Sequence, residues 1–360
     1  MFVNQSPRFY PALSVLGVTA LAAFFFWPST DAPKRQRVAM LESPVEPTVG
    51  PTAVKRAVAA GQPPEFLQRI LNGEITKLTP EQIEQYVESR GRDASSLIVA
   101  AMLSEDRDEW LDEAAERFPD DPGVAAAMLL HRGGKAEARE WIGRLKENDP
   151  ANSLGYLFAA KSALDGGNLD EALVELAALE STRLNDYRES WQSDFTDAYR
   201  SAGYQGMEAE WLGMFQVPVL TSEVSRLSTG IGEAMIAAES RGDRAAAEAL
   251  GRAGMKAAAL VGGRGDRDLL INQLISVSME RKLLNQLDAF EFVPGDERLV
   301  LERLAEMDER IDRIKATIQS HSELLPTLTE PELRQYTRRL QTDGELKAME
   351  WLVAQRQAGP

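Results

Sequence analysis

One period constrains this chain more than any other feature. Gly133 and Gly167 are 34 residues apart, and so are Ala138 and Ala172, Ile142 and Leu176, and Leu145 and Leu179. A repeat of this length is one helical hairpin that cannot bury its apolar residues alone and must stack on neighbours. The period therefore predicts an all-α fold built by piling hairpins.

The second copy shows how the residues encode the hairpin. Ser153 to Asp165 is rich in Ala, Leu and aromatics and carries no Pro. Gly166-Gly167 stops it, because glycine tolerates the left-handed conformation that ends helices. Asn168, with Glu171 three residues on, reads as a capping-box-like start. Ala172, Leu173, Leu176 and Leu179 then fall on one face. In the first copy Gly133-Gly134 makes the turn, and Ala138, Trp141, Ile142 and Leu145 make the stripe. The small residues Ala125, Ala126, Ala159 and Ala160 recur where two helices must approach closely.

Over Pro119–Glu180 the chain resembles the tetratricopeptide repeat family. Ala138 and Ala172 sit where that family keeps a small residue in its second helix. Tyr156 fits its large aromatic, and Pro150 its closing proline. Ala126 and Ala160 stand where the family has glycine, and Leu184 stands where the second closing proline belongs. The resemblance implies a right-handed α-solenoid whose first helices line a concave, ligand-binding face. Carried over position by position, the contact row falls on Leu130, His131, Leu154, Leu157, Lys161 and Leu164. Apolar residues mixed with one His and one Lys suit an extended peptide or a partner helix. The alternative is that the leucines are hairpin core.

Around this nucleus the chain divides in order. Residues 1–28 read as a tail and a single transmembrane anchor. Ala12–Trp27 has no charge, and Phe9–Pro28 spans about 30 Å as a helix, with Tyr10 and Trp27 at its ends. A cleaved signal peptide is the competing reading; Pro33 after Thr30-Asp31-Ala32 is a poor cleavage context. The short basic tail favours a periplasmic or otherwise exported body in a bacterial envelope, although Lys34, Arg35 and Arg37 after the span count the other way. Residues 29–64 hold seven prolines counted from Pro28 and read as an extended spacer. Residues 65–290 read as the helical-repeat domain, clearest over 119–180. Within it Thr79-Pro80-Glu81-Gln82 opens a helix with a capping box, Leu184–Phe215 forms a further pair bearing Trp191, Phe195 and Tyr199, and Glu223–Leu260 forms another around Gly242-Asp243.

Residues 297–325 differ. Val300, Leu304, Met307, Ile311, Ile314, Ile318, His321 and Leu325 alternate spacings of four and three, a heptad seam. It suits either a second chain, giving a homo-oligomer, or a fold-back onto the repeats, which Arg310 and Lys315 favour by repelling a parallel copy. Residues 330–357 read as a capping hairpin.

Charge and composition bear on function. The net charge is −16, and the basic excess of residues 1–60 leaves a still more acidic body. Such a body argues against nucleic acid, whose phosphates demand cations. With no cysteine, thiol chemistry, disulfides and Cys-based metal sites are excluded. His131 and His321 are the only histidines, and no nucleophile, zinc or phosphate-loop motif occurs. The acidic run Glu105–Glu116 reads as a solvated face at a helix start. No cofactor or metal is expected. The expected function is a membrane-tethered scaffold or adaptor that binds a protein or peptide. The alternatives are an envelope lyase or hydrolase on a helical frame, and a self-associating structural protein.

Overall fold

The computed structural model describes residues 62–133, 137–263 and 269–358. The expected anchor and nearly all of the expected spacer lie outside the described residues. Among the described residues no helix is long and apolar enough to cross a membrane. These residues form an all-α fold, with two isolated β-bridges and no strand.

The helices are α1 (Glu65–Leu71), α2 (Pro80–Ser89), α3 (Ala94–Leu103), α4 (Arg107–Arg117), α5 (Pro122–Arg132), α6 (Ala138–Asn148), α7 (Ser153–Asp165), α8 (Leu169–Ala177) and α9 (Arg188–Ser201). They continue as α10 (Gly206–Gln216), the short α11 (Thr221–Val224), α12 (Leu227–Ser240), α13 (Arg244–Val261), α14 (Leu270–Leu284), α15 (Val300–Leu324), α16 (Glu330–Asp343) and α17 (Glu345–Ala358).

Local signals explain the boundaries. Thr79 caps α2 as expected: its hydroxyl accepts from Gln82 N, and Gln82 Oε1 accepts from Thr79 N. Asp121 and Asp243 cap α5 and α13 with single bonds, their carboxylates accepting from Val124 N and Ala246 N. Gly167 turns the second hairpin at φ +75°, which lets the Asn168 N–H reach back to the Ala163 carbonyl. The capping box expected at Asn168 does not form. Its amide instead donates to the Glu171 carboxylate, 3.1 Å away.

The two copies of the 34-residue period are the hairpins α5–α6 and α7–α8. Their stripes are buried: Trp141, Ile142 and Leu145 in one, Ala172, Leu176 and Leu179 in the other. Tyr156 donates to the Pro150 carbonyl, so two positions of the family resemblance touch. The order of packing then departs from the sequence reading. The pair expected in Leu184–Phe215 does not come next in the pile. Helix α12 packs on α7, and α13 on α8, while α9 turns back onto α2 and α3.

The fold-back has a cause in the side chains. Trp191, Phe195 and Tyr199 lie on one face of α9, and all are buried. They need a long apolar surface, and the inner faces of α2, α3 and α5 supply it. Trp191 lies against Gly123 at the start of α5. Tyr199 Oη donates to the Thr76 carbonyl, and Tyr86 Oη to the Asp194 carbonyl. The turn into α9 is pinned by Asn152, which both donates to and accepts from the backbone of Asn185.

The pair α9–α10 is held at close quarters. A β-carbon on Gly213 of α10 would stand 2.7 Å from the backbone N of Thr196 and 2.9 Å from its Cα, besides striking its hydroxyl. Backbone cannot yield as a side chain can. Gly213→Ala is therefore expected to lose about 1–3 kcal/mol of stability, read from the urea midpoint. An unchanged midpoint would contradict this close approach.

The C-terminal elements tie distant parts of the chain together. Trp211 Nε1 of α10 donates to Thr337 Oγ1 of α16 at 2.9 Å. Gln68 of α1 donates to the carbonyl of Pro326, in the 3-10 turn after α15, at 2.9 Å. Glu345 at the head of α17 accepts from Leu270 N, the first amide of α14, at 3.0 Å. The heptad seam of α15 is covered by this same chain, chiefly by α14 and α17, with Val300, Met307, Ile311, Ile314, Ile318 and His321 all buried.

Candidate functional site

The six residues carried over from the family divide in two. Leu154 and Leu157 are both 0% exposed. They belong to the core, so the expectation that they face a partner gives way to the alternative. The physical reason is that α7 is enclosed by its neighbours in the pile, α6 and α8 of the hairpins and α12 stacked on them. Leu164 packs against Gly230 of α12, 3.3 Å from where a β-carbon would stand there. Leu130, Leu164, His131 and Lys161 keep partial exposure, and the Lys161 ammonium is held by Asp165 one turn on, at 2.8 Å.

His131 opens onto a cleft of about 350 Å³ lined by Glu105, Asp106, Arg107, Asp108 and Glu109. These five residues make the turn into α4, and His131 comes from the last turn of α5. Arg132 beside it reaches across to Asp108 and Asp112, at 3.1 and 2.7 Å, locking α5 to α4. Burial pushes the His131 imidazole down to about 4, helped by the positive Arg107 and opposed by Asp108. The ring is thus neutral near pH 7. The acidic run expected to be a plain solvated face therefore forms one wall of a polar recess. Among the described residues no group of three or more His, Asp or Glu is placed to hold a metal ion.

A second surface escaped the sequence reading. The segment between α14 and α15 doubles back on itself: Val300 N donates to the Glu291 carbonyl, Val293 N to the Arg298 carbonyl, and Leu301 N to the Ala289 carbonyl. The pleat sends Val293 into the core and turns Phe290 and Phe292 outward, 76% and 65% exposed. Leu301, 52% exposed, adjoins them through its bond to Ala289. No family model, no curated protein and no solved structure matches the chain. Its surfaces have to be read from their own chemistry.

On that basis the aromatic loop is the less ordinary of the two. It is anchored from below, since Pro294 fills the space over Gly251 of α13 and Val293 is 2% exposed. Two phenylalanines kept in water on an anchored loop, with a third apolar side chain beside them, form the kind of patch that marks an interaction site. Around them Asp288, Glu291, Glu297 and Glu302 are exposed. Arg298 and Arg303 do not offset that charge, because they pair with Asp296, Glu306 and Glu280. The sequence did carry a signal. Phe290-Glu291-Phe292-Val293-Pro294-Gly295 alternates two aromatics with other residues just before a turn, in a chain with only 7% aromatics.

Proposed function

We propose that this protein is a membrane-tethered scaffold that binds a protein or peptide partner. In this reading residues 1–28 anchor the chain as a single-pass membrane protein, and residues 29–64 space an exported body from the bilayer. That body is a variant α-solenoid of tetratricopeptide-like hairpins. The repeat architecture is supported by the hairpins α5–α6, α7–α8 and α12–α13, which pack one on the next. The observation that carries the binding role is the exposed pair Phe290 and Phe292. Aromatic anchors that can enter a partner's pocket supply much of the affinity of protein interfaces.

The experiment is cross-linked affinity capture of the full chain from native membranes, read by mass spectrometry. A specific partner is expected to be recovered, and to be lost with Phe290→Ser plus Phe292→Ser. Both side chains are exposed, so that variant keeps its fold. Undiminished recovery from the variant would remove the loop as the binding element.

The enzyme reading draws on one observation, the polar cleft at His131. All four of its carboxylates come from the single segment Glu105–Glu109, and His131 is the only lining group from another element. Carboxylate pairs that cleave glycosidic bonds instead flank the bond. The cleft suits the recognition of a cationic side chain better than bond cleavage.

A further inference from the structure

We infer that the partner meets the Phe290–Phe292 patch with a basic, extended segment, which sets aliphatic side chains on the two rings and lysine or arginine on the carboxylates around them. This rests on the reading of the patch as the binding surface and adds the chemistry of what binds there.

Charge selects the occupant. Residues 285–309 hold eight carboxylates and only two guanidinium groups. Those two, on Arg298 and Arg303, are taken up by Asp296, Glu306 and Glu280. Asp288, Glu297 and Glu302 have no ion-pair partner among the described residues. Two of these are fixed beside the patch, since Asp288 accepts from Phe290 N at 2.9 Å and Glu302 from Leu299 N at 3.1 Å. Glu291, between the two phenylalanines, meets Arg244 only at 3.9 Å, and that arginine is 89% exposed. An acidic rim around apolar side chains favours a cationic partner and repels others. Anionic lipid has the wrong sign for it. A second copy would bring an acidic chain, of net charge −16, against the same acidic rim.

The backbone sets the form of the occupant. Phe292 and Leu299 face each other across the doubled-back segment. The bonds from Val300 N to the Glu291 carbonyl and from Val293 N to the Arg298 carbonyl lie on either side of them. A residue placed so in an antiparallel pair turns its own N–H and C=O away from the strand opposite. Those two groups of Phe292 make no hydrogen bond to the described residues. They are the start of an open edge, to which an extended segment can add as a further strand. Side chains of such a strand alternate between its faces. Every second one lies on the face of Phe290 and Phe292 and has to be apolar. Those between lie on the side of Glu291, where cations are favoured.

The probe is a random peptide library displayed on phage and selected on the full chain in nanodiscs of zwitterionic lipid. Clones that bind the parent but not Phe290→Ser plus Phe292→Ser report on the patch. They are expected to carry net positive charge with aliphatic residues at alternate positions. As synthetic peptides they are expected to bind Glu291→Lys plus Glu297→Lys about tenfold more weakly. Methylation of the peptide nitrogens one at a time is expected to weaken binding about tenfold at the residue paired with Phe292, and not at its neighbours. Neutral or acidic clones would overturn the inference and leave the patch a binding surface. Basic clones indifferent to every methylation would overturn it too, since the segment would not pair as a strand. So would self-association of the full chain that the phenylalanine variant abolishes, read by sedimentation equilibrium, because the occupant would be a second copy. If no clone depends on the phenylalanines, the patch is not the binding surface and both readings fall.

Discussion

Trp211→Ala is expected to lower the unfolding free energy by roughly 3–5 kcal/mol. The side chain is 0% exposed, so the whole ring volume is lost from the core. Its ring lies 5.8 Å from Phe215 and 6.4 Å from Tyr336. Aromatic neighbours of this bulk do not collapse readily into the space vacated. Trp211 also donates to Thr337, which itself donates to the Leu333 carbonyl. The Thr337 hydroxyl therefore stays satisfied in the variant, and the loss is mainly one of packing. Trp211→Phe retains part of the ring and loses the hydrogen bond, an expected cost of about 1–2 kcal/mol. The position matters because it joins α10, at the middle of the described chain, to α16 near its end. Urea melts of the two variants, followed by far-UV circular dichroism, read both numbers. If Trp211→Ala left the midpoint unmoved, the docking of α16 on α10 would be wrong.

That joint shows where sequence reasoning reaches and where it stops. The 34-residue period identified the hairpins α5–α6 and α7–α8, because helix faces and turn residues are local. The alternating seam of α15 likewise identified its buried face. What periodicity reports is which side of a helix leaves water, not what covers it. Leu154 and Leu157 would be apolar whether they met a guest peptide or the neighbouring helices of the pile, α6, α8 and α12. The aromatic face of α9 was visible, but nothing local says that it turns back across the first helices rather than extending the pile. Gln68 meeting Pro326, across most of the chain, has no sequence signature at all. Phe290 and Phe292 were passed over for a related reason. Their exposure depends on a doubled-back segment of a few bonds, and single exposed apolar residues are common enough to carry no signal alone.

The second large effect is on the pH dependence of stability, and it centres on His321. This residue is 0% exposed, with its ring 5.3 Å from that of Tyr336. Neither ring nitrogen hydrogen-bonds to the described residues. Burial alone pushes the imidazole down to about 4. In the unfolded chain it titrates near its ordinary value, about 6.5. The unfolded state therefore binds the proton first as pH falls, and acid favours unfolding. The contribution of neutral His321 is fully present above about 6.5 and is lost progressively down to about 4, a total of about 3 kcal/mol. His131 shifts in the same direction, and its partial exposure makes its share smaller. Two other signals bracket this window. Glu113, held down to about 2 by Arg92 and Arg117, gives up its stabilisation only below the ordinary carboxylate range. Glu345, pushed up by burial, acts oppositely: its contribution falls as pH rises through its folded value, so acid partly restores it. The histidine term is isolated by comparison with His321→Phe, which keeps an aromatic ring beside Tyr336 and cannot titrate. The stability difference between His321→Phe and the parent is expected to grow by about 3 kcal/mol between pH 7 and pH 4. Parallel stability curves for the two proteins would mean that His321 is protonated in the folded state, and hence that water or a carboxylate reaches the junction of α15 and α16.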